Sequence, residues 1–463
     1  MLRAVLGAGV QEGAFLIVAP CMQKQHGDLV MNWTERIFKL NEHGTNVRTE
    51  LVAGLTTFLT MAYIMFVNPT ILGDAGMPKD SVFVATCLIA ALGSIIMALY
   101  ANYPIALAPG MGLNAYFAYV VVLKMGYTWE AALGAVFVSG CLFLLATLFG
   151  LRELIIKGIP HSIRVAITVG IGLFLALIAL KSAGVVVGDK ATLVTLGDLH
   201  KPELIMAALG FLLIVVLDRL KVPGALLIGI LAVTVASFFF GGNKFNGIFS
   251  APPSIEPTFL KLDIKTALTS GILNVVLVFF LVELFDATGT LMGVARRAGL
   301  LVPERMGRFN RSLLADSGAI FVGSLLGTSS TTAYVESAAG VQAGGRTGLT
   351  ALTVAVLFLA CLFIAPLASV VPGYATAPAL LFVACLMLKD LTEVQWEETT
   401  EAVPAVITAL MMPFTYSIAN GLAFGFITYA VLKLFTGKVR EVHWIVWLIA
   451  VVFLFKFIYL GGH

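Results

Sequence analysis

Charge is what this chain has least of: 12% of its 463 residues are Asp, Glu, Lys or Arg, while 59% are hydrophobic. No arrangement of that composition gives a soluble domain a wettable surface, so the soluble globular classes are excluded. The charges that exist nearly cancel, 29 Lys and Arg against 26 Asp and Glu, for a net of +3. The cations are scattered through loops, which leaves nucleic-acid binding without support. Paired thiols are also missing: Cys21, Cys87, Cys141, Cys361 and Cys385 form no CxxC, and four of the five fall in apolar stretches, where small buried side chains are expected. The histidines, His26, His43, His161, His200, His443 and His463, avoid the centres of the apolar runs and show no metal-ligand spacing. No metal and no cofactor are expected. An enzyme would need a nucleophile, a base and an orienting group together, and no such set occurs.

What the chain does have is a succession of apolar runs of about 15 to 23 residues, the length that crosses a hydrocarbon core of about 30 Å as a helix. A lipid-facing barrel would alternate instead. Spans are expected at 51–72, 81–100, 104–123, 131–150, 163–180, 203–218 and 222–240, then at 271–295, 313–327, 331–345, 348–367, 374–388, 404–418 and 421–436, fourteen in all. The lipid bilayer is thus the first partner, and the chain reads as an all-α polytopic protein of the cell (inner) membrane. Residues 1–49 form an expected cytoplasmic N-terminal segment, in which Met31 is the expected start and residues 1–30 are not translated, because Ala14 to Pro20 is too short to span and lacks a cleavage pattern. A further apolar run, Trp444 to Leu460, fits either another span or an interfacial helix. The basic segments Arg152 to Arg164, Asp218 to Lys221 and Ala295 to Arg311 fall on one side, which the positive-inside rule makes cytoplasmic.

Two of the spans are broken. Pro109-Gly110-Met111-Gly112-Leu113-Asn114-Ala115-Tyr116 interrupts the third, and Gly327-Thr328-Ser329-Ser330-Thr331-Thr332-Ala333-Tyr334-Val335-Glu336-Ser337 interrupts the tenth. Superposing them matches Ala115-Tyr116 to Ala333-Tyr334 at an offset of 334 − 116 = 218, Ile159-Pro160 pairs with Val371-Pro372 at 212, and Gly224 pairs with Gly421 at 197. The chain therefore divides into a first repeat at 50–241, an extracytoplasmic loop at 242–270, a second repeat at 271–437 and a C-terminal segment at 438–463. Seven spans per copy, an odd number, turns the copies upside down relative to each other, the inverted-repeat plan of secondary transporters. Unwound backbone at membrane depth is expensive unless it lines a cavity, so its free N–H and C=O groups are expected to meet a solute.

Acidic residues mark the same region. Glu283 and Asp286 stand i, i+3 in the eighth span and Glu336 stands in the tenth. Intramembrane carboxylates default to function, and ionised ones are pure acceptors suited to ring N–H or exocyclic NH2 groups, while Asn114 offers both polarities. A planar heterocycle fits these demands. Two carboxylates one turn apart in a low dielectric suit one of them to carry a proton, so Asp286 and Glu283 are the expected coupling groups, with sodium the rival cation. Tyr116, Phe117, Phe280, Phe285 and Tyr334 adjoin these positions as candidate stacking rings.

Five ordered motifs carry a family likeness: Asn46-Val47-Arg48-Thr49-Glu50 with Ala53-Gly54-Leu55-Thr56-Thr57-Phe58; Asn68-Pro69; Ala108 to Phe117; Phe285-Asp286-Ala287-Thr288-Gly289-Thr290; and Ala333 to Gly340 followed by Gly344-Gly345-Arg346-Thr347-Gly348. From Asn32 to about Gly437 the chain resembles the purine (adenine, guanine, hypoxanthine) permease branch of the nucleobase/ascorbate transporter superfamily. The resemblance implies two inverted seven-helix repeats, spans one to four and eight to eleven forming a core and the rest a gate, with short β-like segments in the third and tenth spans. It implies transport of a purine nucleobase, with Glu283 and Glu336 holding the base, Asn114 and the Ala115-Tyr116 backbone as third-span contacts, and Asp286 as the functional acid one turn along. The acid pair adds the expectation of import by proton symport, and Tyr334, which the repeat sets opposite Tyr116, and Val335 are the expected tenth-span contacts. Uracil-type relatives carry histidine where this chain has Ala287, which leaves protonation to Asp286 or Glu283. Ser337 stands where relatives outside this branch have Asn. Which purine is preferred is left open, as is oligomeric state, a homodimer included.

Two rival classes remain on the sequence. A channel would need rings of weak sites, whereas half-helices with buried carboxylates look built to hold one solute. An anion transporter of the same architecture would have its solute repelled by Glu283 and Glu336.

Overall fold

The computed structural model describes residues 33–240, 247–300 and 306–459. The expectations about Met31 and residues 1–30 lie outside the described residues.

Asn46 opens the first span by accepting a hydrogen bond from Thr49 N at 2.9 Å, the usual side-chain answer to the unpaired amides of a helix start. That span runs Val47–Met61 and resumes as Ile64–Asp74. Lys79–Ile96 forms the second and is prolonged through Met97–Ala101 by wider, π-type turns. The third begins as a strand, β1 (Leu107–Pro109), and continues as Met111–Ala115 and Tyr116–Lys124. Trp129–Leu148 is the fourth, Leu151–Gly158 a short connecting helix, His161–Ser182 the fifth. An exposed hairpin of β2 (Val186–Asp189) and β3 (Leu193–Leu196) follows, which the span pattern did not announce. Its turn is fixed by Asp189, whose Oδ1 accepts from Ala191 N and Thr192 N at 2.7 and 2.8 Å. Those backbone bonds hold the Asp189 carboxyl below the usual carboxylate range.

Pro202–Arg219 and Ala225–Phe240 complete the first repeat. The second contributes Ser270–Arg297 and Met306–Leu326, then β4 (Thr331–Ala333) with Ser337–Gln342 as the divided tenth span. Gly348–Cys361, extended to Val370 through Leu362–Ile364 and Ala365–Val370, is the eleventh, and Gly373–Met387, Thr399–Phe414 and Ile418–Phe435 close the repeat. Among the described residues eight helices are long and apolar enough to cross a membrane on that basis alone. The third and tenth fall short because each is divided by a strand.

Packing sorts these helices into two bodies. The first span lies on the eleventh, the second on the ninth and eleventh, and the fourth on the eighth and ninth. The fifth lies instead on the twelfth and thirteenth, and the sixth on the seventh and twelfth. Spans one to four with eight to eleven form a core and the remainder a gate, each assembled from both repeats, so the chain is a polytopic helical protein built of two inverted seven-helix repeats. The segment from residue 247 to 263 runs over the core and fastens it: Ser81 Oγ donates to Ser254 O at 2.9 Å, Leu260 N to Leu325 O at 2.9 Å, and Asp263 N to Glu130 O at 3.0 Å. Trp444–Tyr459 packs along the last gate helix through Phe424 with Phe457 and Phe426 with Phe453, ring centroids 5.3 and 6.4 Å apart.

Glu50 is the core's internal clasp. It is fully buried. Its carboxylate accepts from Arg346 N at 2.8 Å, Thr347 N at 3.3 Å, Thr350 N at 3.2 Å and Thr350 Oγ1 at 2.6 Å. It thereby satisfies the free amides at the start of the eleventh span, joining two motifs about 300 residues apart in sequence. Glu50→Ala strands those buried N–H groups, and its expected cost is about 1–3 kcal/mol. A lower thermal unfolding midpoint of the purified protein is the check, and an unchanged midpoint refutes the clasp.

Candidate functional site

The two broken stretches meet. β1 and β4 pair antiparallel with Leu107 opposite Ala333, Ala108 opposite Thr332 and Pro109 opposite Thr331. Beyond the ladder, Gly110 N donates to Ser330 O at 2.9 Å and Tyr334 N to Ala106 O at 3.0 Å. Side chains satisfy the flanks: Ser94 Oγ accepts from Leu107 N and Ser337 Oγ from Ala106 N, both at 3.1 Å. Backbone groups that the sequence reading left for a solute are therefore bonded to the opposite repeat. Only paired or solvated backbone is tolerated at this depth, and the strands pair each other. Gly327 makes the turn out of the ninth span possible with φ of +86°, a conformation that side chains with a Cβ resist. Gly112 lets the third span approach the gate, since a Cβ there would stand 2.5 Å from Ile171 Cγ2 of the fifth span.

This ladder corrects the repeat alignment. Equivalent strand positions are Leu107 and Thr331, an offset of 331 − 107 = 224 rather than 218. Ala115 and Tyr116 lie a full turn into the helix after β1, whereas Ala333 ends β4 and Tyr334 directly follows it. The two tyrosines are consequently not symmetric partners. Tyr334 donates its hydroxyl to Pro109 O at 2.6 Å, bracing one broken stretch on the other. Tyr116 is buried with its ring edge-on to Phe279 at 5.1 Å. Val335 is 50% exposed.

The polar side chains gather beside the ladder. Glu283 is fully buried; its Oε2 accepts from Ser139 Oγ of the fourth span at 3.0 Å, and its Oε1 has no partner among the described residues. Asn114 is buried too, with Oδ1 accepting from Ser329 Oγ and Nδ2 unpartnered. Among the described residues the Thr331 hydroxyl is likewise buried without a partner, whereas those of Ser330 and Thr332 lie against carboxyl groups. Ser330 faces Glu283, and Thr332 faces Asp286. Asp286 has Glu336 and Asp316 as acidic neighbours, so the pair suggested by i, i+3 spacing is one part of a wider cluster. Glu336 Oε1 accepts from Tyr63 OH of the first span at 2.7 Å. A buried polar atom left unbonded costs about 1–3 kcal/mol, so a concentration of them needs a reason, and a ligand is the ordinary one.

Sequence reasoning missed the cation of this region. Arg152, counted among cytoplasmic loop charges, is fully buried. Its Nη2 pairs with Asp316 Oδ2 at 3.2 Å, Nε donates to Thr288 Oγ1 at 2.8 Å and Nη1 to Leu313 O at 3.2 Å, with Phe143's ring 4.5 Å from the guanidinium carbon. Asp316, unremarked in the ninth span, could have been found by the same intramembrane-acid rule that flagged Glu283. Asn68 was quoted for its motif alone. Its Nδ2 donates to Thr86 Oγ1 at 2.7 Å and Thr328 Oγ1 at 2.9 Å, stitching the first, second and tenth spans. Among the described residues no group of acids, histidines or cysteines could hold a metal ion.

Two cavities lie away from the cluster. One of about 650 Å3 opens at the end of the gate between Pro160, Glu401, Lys433, Arg440 and His443. The other, about 280 Å3 and apolar, sits among Leu180, Phe211, Leu212 and Leu381. Neither includes Glu283 or Glu336.

The sequence profile of a family described as the permease family matches residues 48–447. A putative permease of Methanocaldococcus jannaschii is 51% identical over 436 residues, covering 94% of this chain and all of that protein. The adenine permease AdeP of Escherichia coli is 49% identical over 432 residues, 93% of this chain and 97% of its own length. The guanine/hypoxanthine permease PbuO of Bacillus subtilis is 47% identical over 425 residues, 90% and 98% of the two chains. Among solved structures, the transmembrane domain of the cyanobacterial bicarbonate transporter BicA superposes with a TM-score of 0.60 at 16% identity, covering 82% of this chain and 97% of that one. At that identity the likeness speaks for the fold alone.

Proposed function

We propose, from the fact that this chain belongs to the permease family, that it imports purine nucleobases, adenine, guanine or hypoxanthine, across the cytoplasmic membrane. It is a multi-pass membrane transporter, not an enzyme, and nucleobase carriage is the class of activity its relatives' names carry. The observation that supports a purine at this site is the set of buried groups beside the strand ladder that have no partner among the described residues: Asn114 Nδ2 as donor, Glu283 Oε1 as acceptor, and the Thr331 hydroxyl as either. A flat ring bearing N–H, ring nitrogen and carbonyl or amino groups answers both polarities at once. Glu336 supplies a second acceptor. An anion would meet Glu283, Asp286 and Glu336 with like charge, which weighs against the solute named for the structural relative.

The transport cycle we propose is proton symport with alternating access. Core and gate are separately packed bodies, which suits one to move against the other while the solute stays with the core. Four carboxylates, Glu283, Asp286, Asp316 and Glu336, share the core with the guanidinium of Arg152, and such an acid-rich cluster suits a proton as the co-transported cation. The test is uptake of radiolabelled adenine, guanine and hypoxanthine in a permease-deficient host, followed by proteoliposomes with an imposed pH gradient and no sodium. Accumulation of at least one purine in both settings is expected. Failure to take up any purine removes the substrate reading, and uptake that requires sodium removes the proton.

A further inference from the structure

The first span carries a third interruption, between Met61 and Ile64. There the winding tightens, Met65 N bonding Ala62 O at 3.2 Å and Phe66 N bonding Tyr63 O at 3.1 Å. Pro69 lies four residues beyond Met65, so the Met65 carbonyl loses its ordinary helical donor and this part of the helix is locally loosened. At the break stands Tyr63, 1% exposed, whose hydroxyl reaches Glu336 Oε1 at 2.7 Å across a sequence separation of 273 residues.

We infer that Tyr63 is a positioning residue for Glu336, fixing one carboxylate oxygen so that the other is presented to the solute. A glutamate has three side-chain torsions, and Glu336 makes no side-chain cap bond to the helix it precedes, so only its own backbone N–H and Tyr63 act on the direction of its carboxylate. A tyrosine has two torsions and a rigid ring, and Tyr63 has its ring held in the core, so its hydroxyl is a fixed point. The bond also joins parts that travel together. Asn68, in the same span as Tyr63, donates to Thr328 ahead of β4 at 2.9 Å, so the first and tenth spans are stitched both before and after β4. Tyr63 thus keeps its hold on Glu336 whichever way the gate moves. A hydroxyl donor to a carboxylate is among the stronger hydrogen bonds, and it occupies Oε1, leaving Oε2 for a ring N–H or an amino group. The bland rival is a buried tyrosine that needs some acceptor and finds one in Glu336. On that view the bond serves Tyr63, and removing the hydroxyl leaves solute binding untouched.

The inference rests on the purine reading of the site, and the experiment separates the two. Tyr63→Phe keeps the ring and deletes the hydroxyl. In the full-length protein the expected result is a KM for the transported purine raised about tenfold, with maximal rate per folded transporter retained. Equilibrium binding of the same labelled purine to purified Glu336→Gln and to the double variant completes a cycle. Adding Tyr63→Phe to Glu336→Gln should weaken binding no further, because the acceptor oxygen that Tyr63 presents to the solute is already replaced by an amide NH2. An unchanged KM in folded Tyr63→Phe, or an equal loss in both backgrounds, overturns the proposal. If the wild-type chain binds none of the three purines, the substrate reading falls by itself. Tyr63 is then judged on the infrared carboxyl band that Glu336→Gln abolishes: a shift of that band in Tyr63→Phe supports the orienting bond, and an unmoved band refutes it.

Discussion

Glu336→Gln is expected to reduce purine uptake at subsaturating concentration about ten- to hundredfold while leaving the amount of folded transporter near that of the wild type. The amide oxygen can still accept from Tyr63 OH, the bond the carboxylate makes at 2.7 Å, so the local packing survives. What changes is the second group, which becomes an NH2 donor where an oxygen had stood, and a purine N–H then faces a donor. Hydrogen bonds to charged groups contribute about 1.5–3 kcal/mol, and a bond turned into donor against donor loses at least that, which at 1.4 kcal/mol per decade gives the stated range. Glu283→Gln follows the same logic at a deeper position. Ser139 Oγ, now 3.0 Å from Oε2, can donate to the amide oxygen, while the unpartnered Oε1 is replaced by a group of opposite polarity. Radiolabelled uptake, normalised to protein recovered from membranes, measures both. Transport intact in both variants would remove these carboxylates from the site.

Arg152→Met is expected to be the most damaging single change to the core, costing about 3–5 kcal/mol, because it leaves Asp316 as an uncompensated buried charge. The pair is enclosed, 1% and 0% exposed on its two side chains, and the same guanidinium also serves Thr288 Oγ1 and the Leu313 carbonyl. Desolvation makes such a pair poor evidence of net stabilisation, but it makes the loss of one partner costly. Combining Arg152→Met with Asp316→Asn removes both charges at once, and the double variant should recover much of the folded protein that the single variant loses. Size-exclusion profiles and thermal midpoints in detergent decide the matter. A single variant as stable as wild type would show that water reaches Asp316 and that the pair is not sealed.

The legible and illegible parts of this site differ in a physical way. Glu283, Asp286 and Glu336 stood out because each is an acid inside an apolar run, and a local window suffices to see that. The interruptions at Pro109-Gly110 and Gly327 were visible for the same reason, since proline and glycine punctuate a helix wherever they fall. Arg152 was hidden because it follows Gly150 at the end of an apolar run, where a cation ordinarily meets water. Its burial is made possible by Asp316, 164 residues away, by Thr288 and the Leu313 carbonyl, and by the Phe143 ring. Tyr63 and Glu50 look ordinary in their windows, an aromatic in an apolar helix and an acid in a helix's first turn. Their partners, Glu336 and the amides near Thr347, lie in the other repeat.

The sequence by itself determined the class of the molecule, its succession of spans, the two copies and which acids lie inside apolar runs, because hydrophobic content, run length and helix-breaking residues act within a few turns of chain. The tertiary structure alone decided who satisfies whom. β1 and β4 bond each other instead of waiting for a solute, Tyr334 braces Pro109, Arg152 answers Asp316, and Tyr63 takes one oxygen of Glu336. Every one of these contacts joins segments more than 150 residues apart, brought together by the interleaving of inverted repeats, and no local periodicity encodes a distance across that fold.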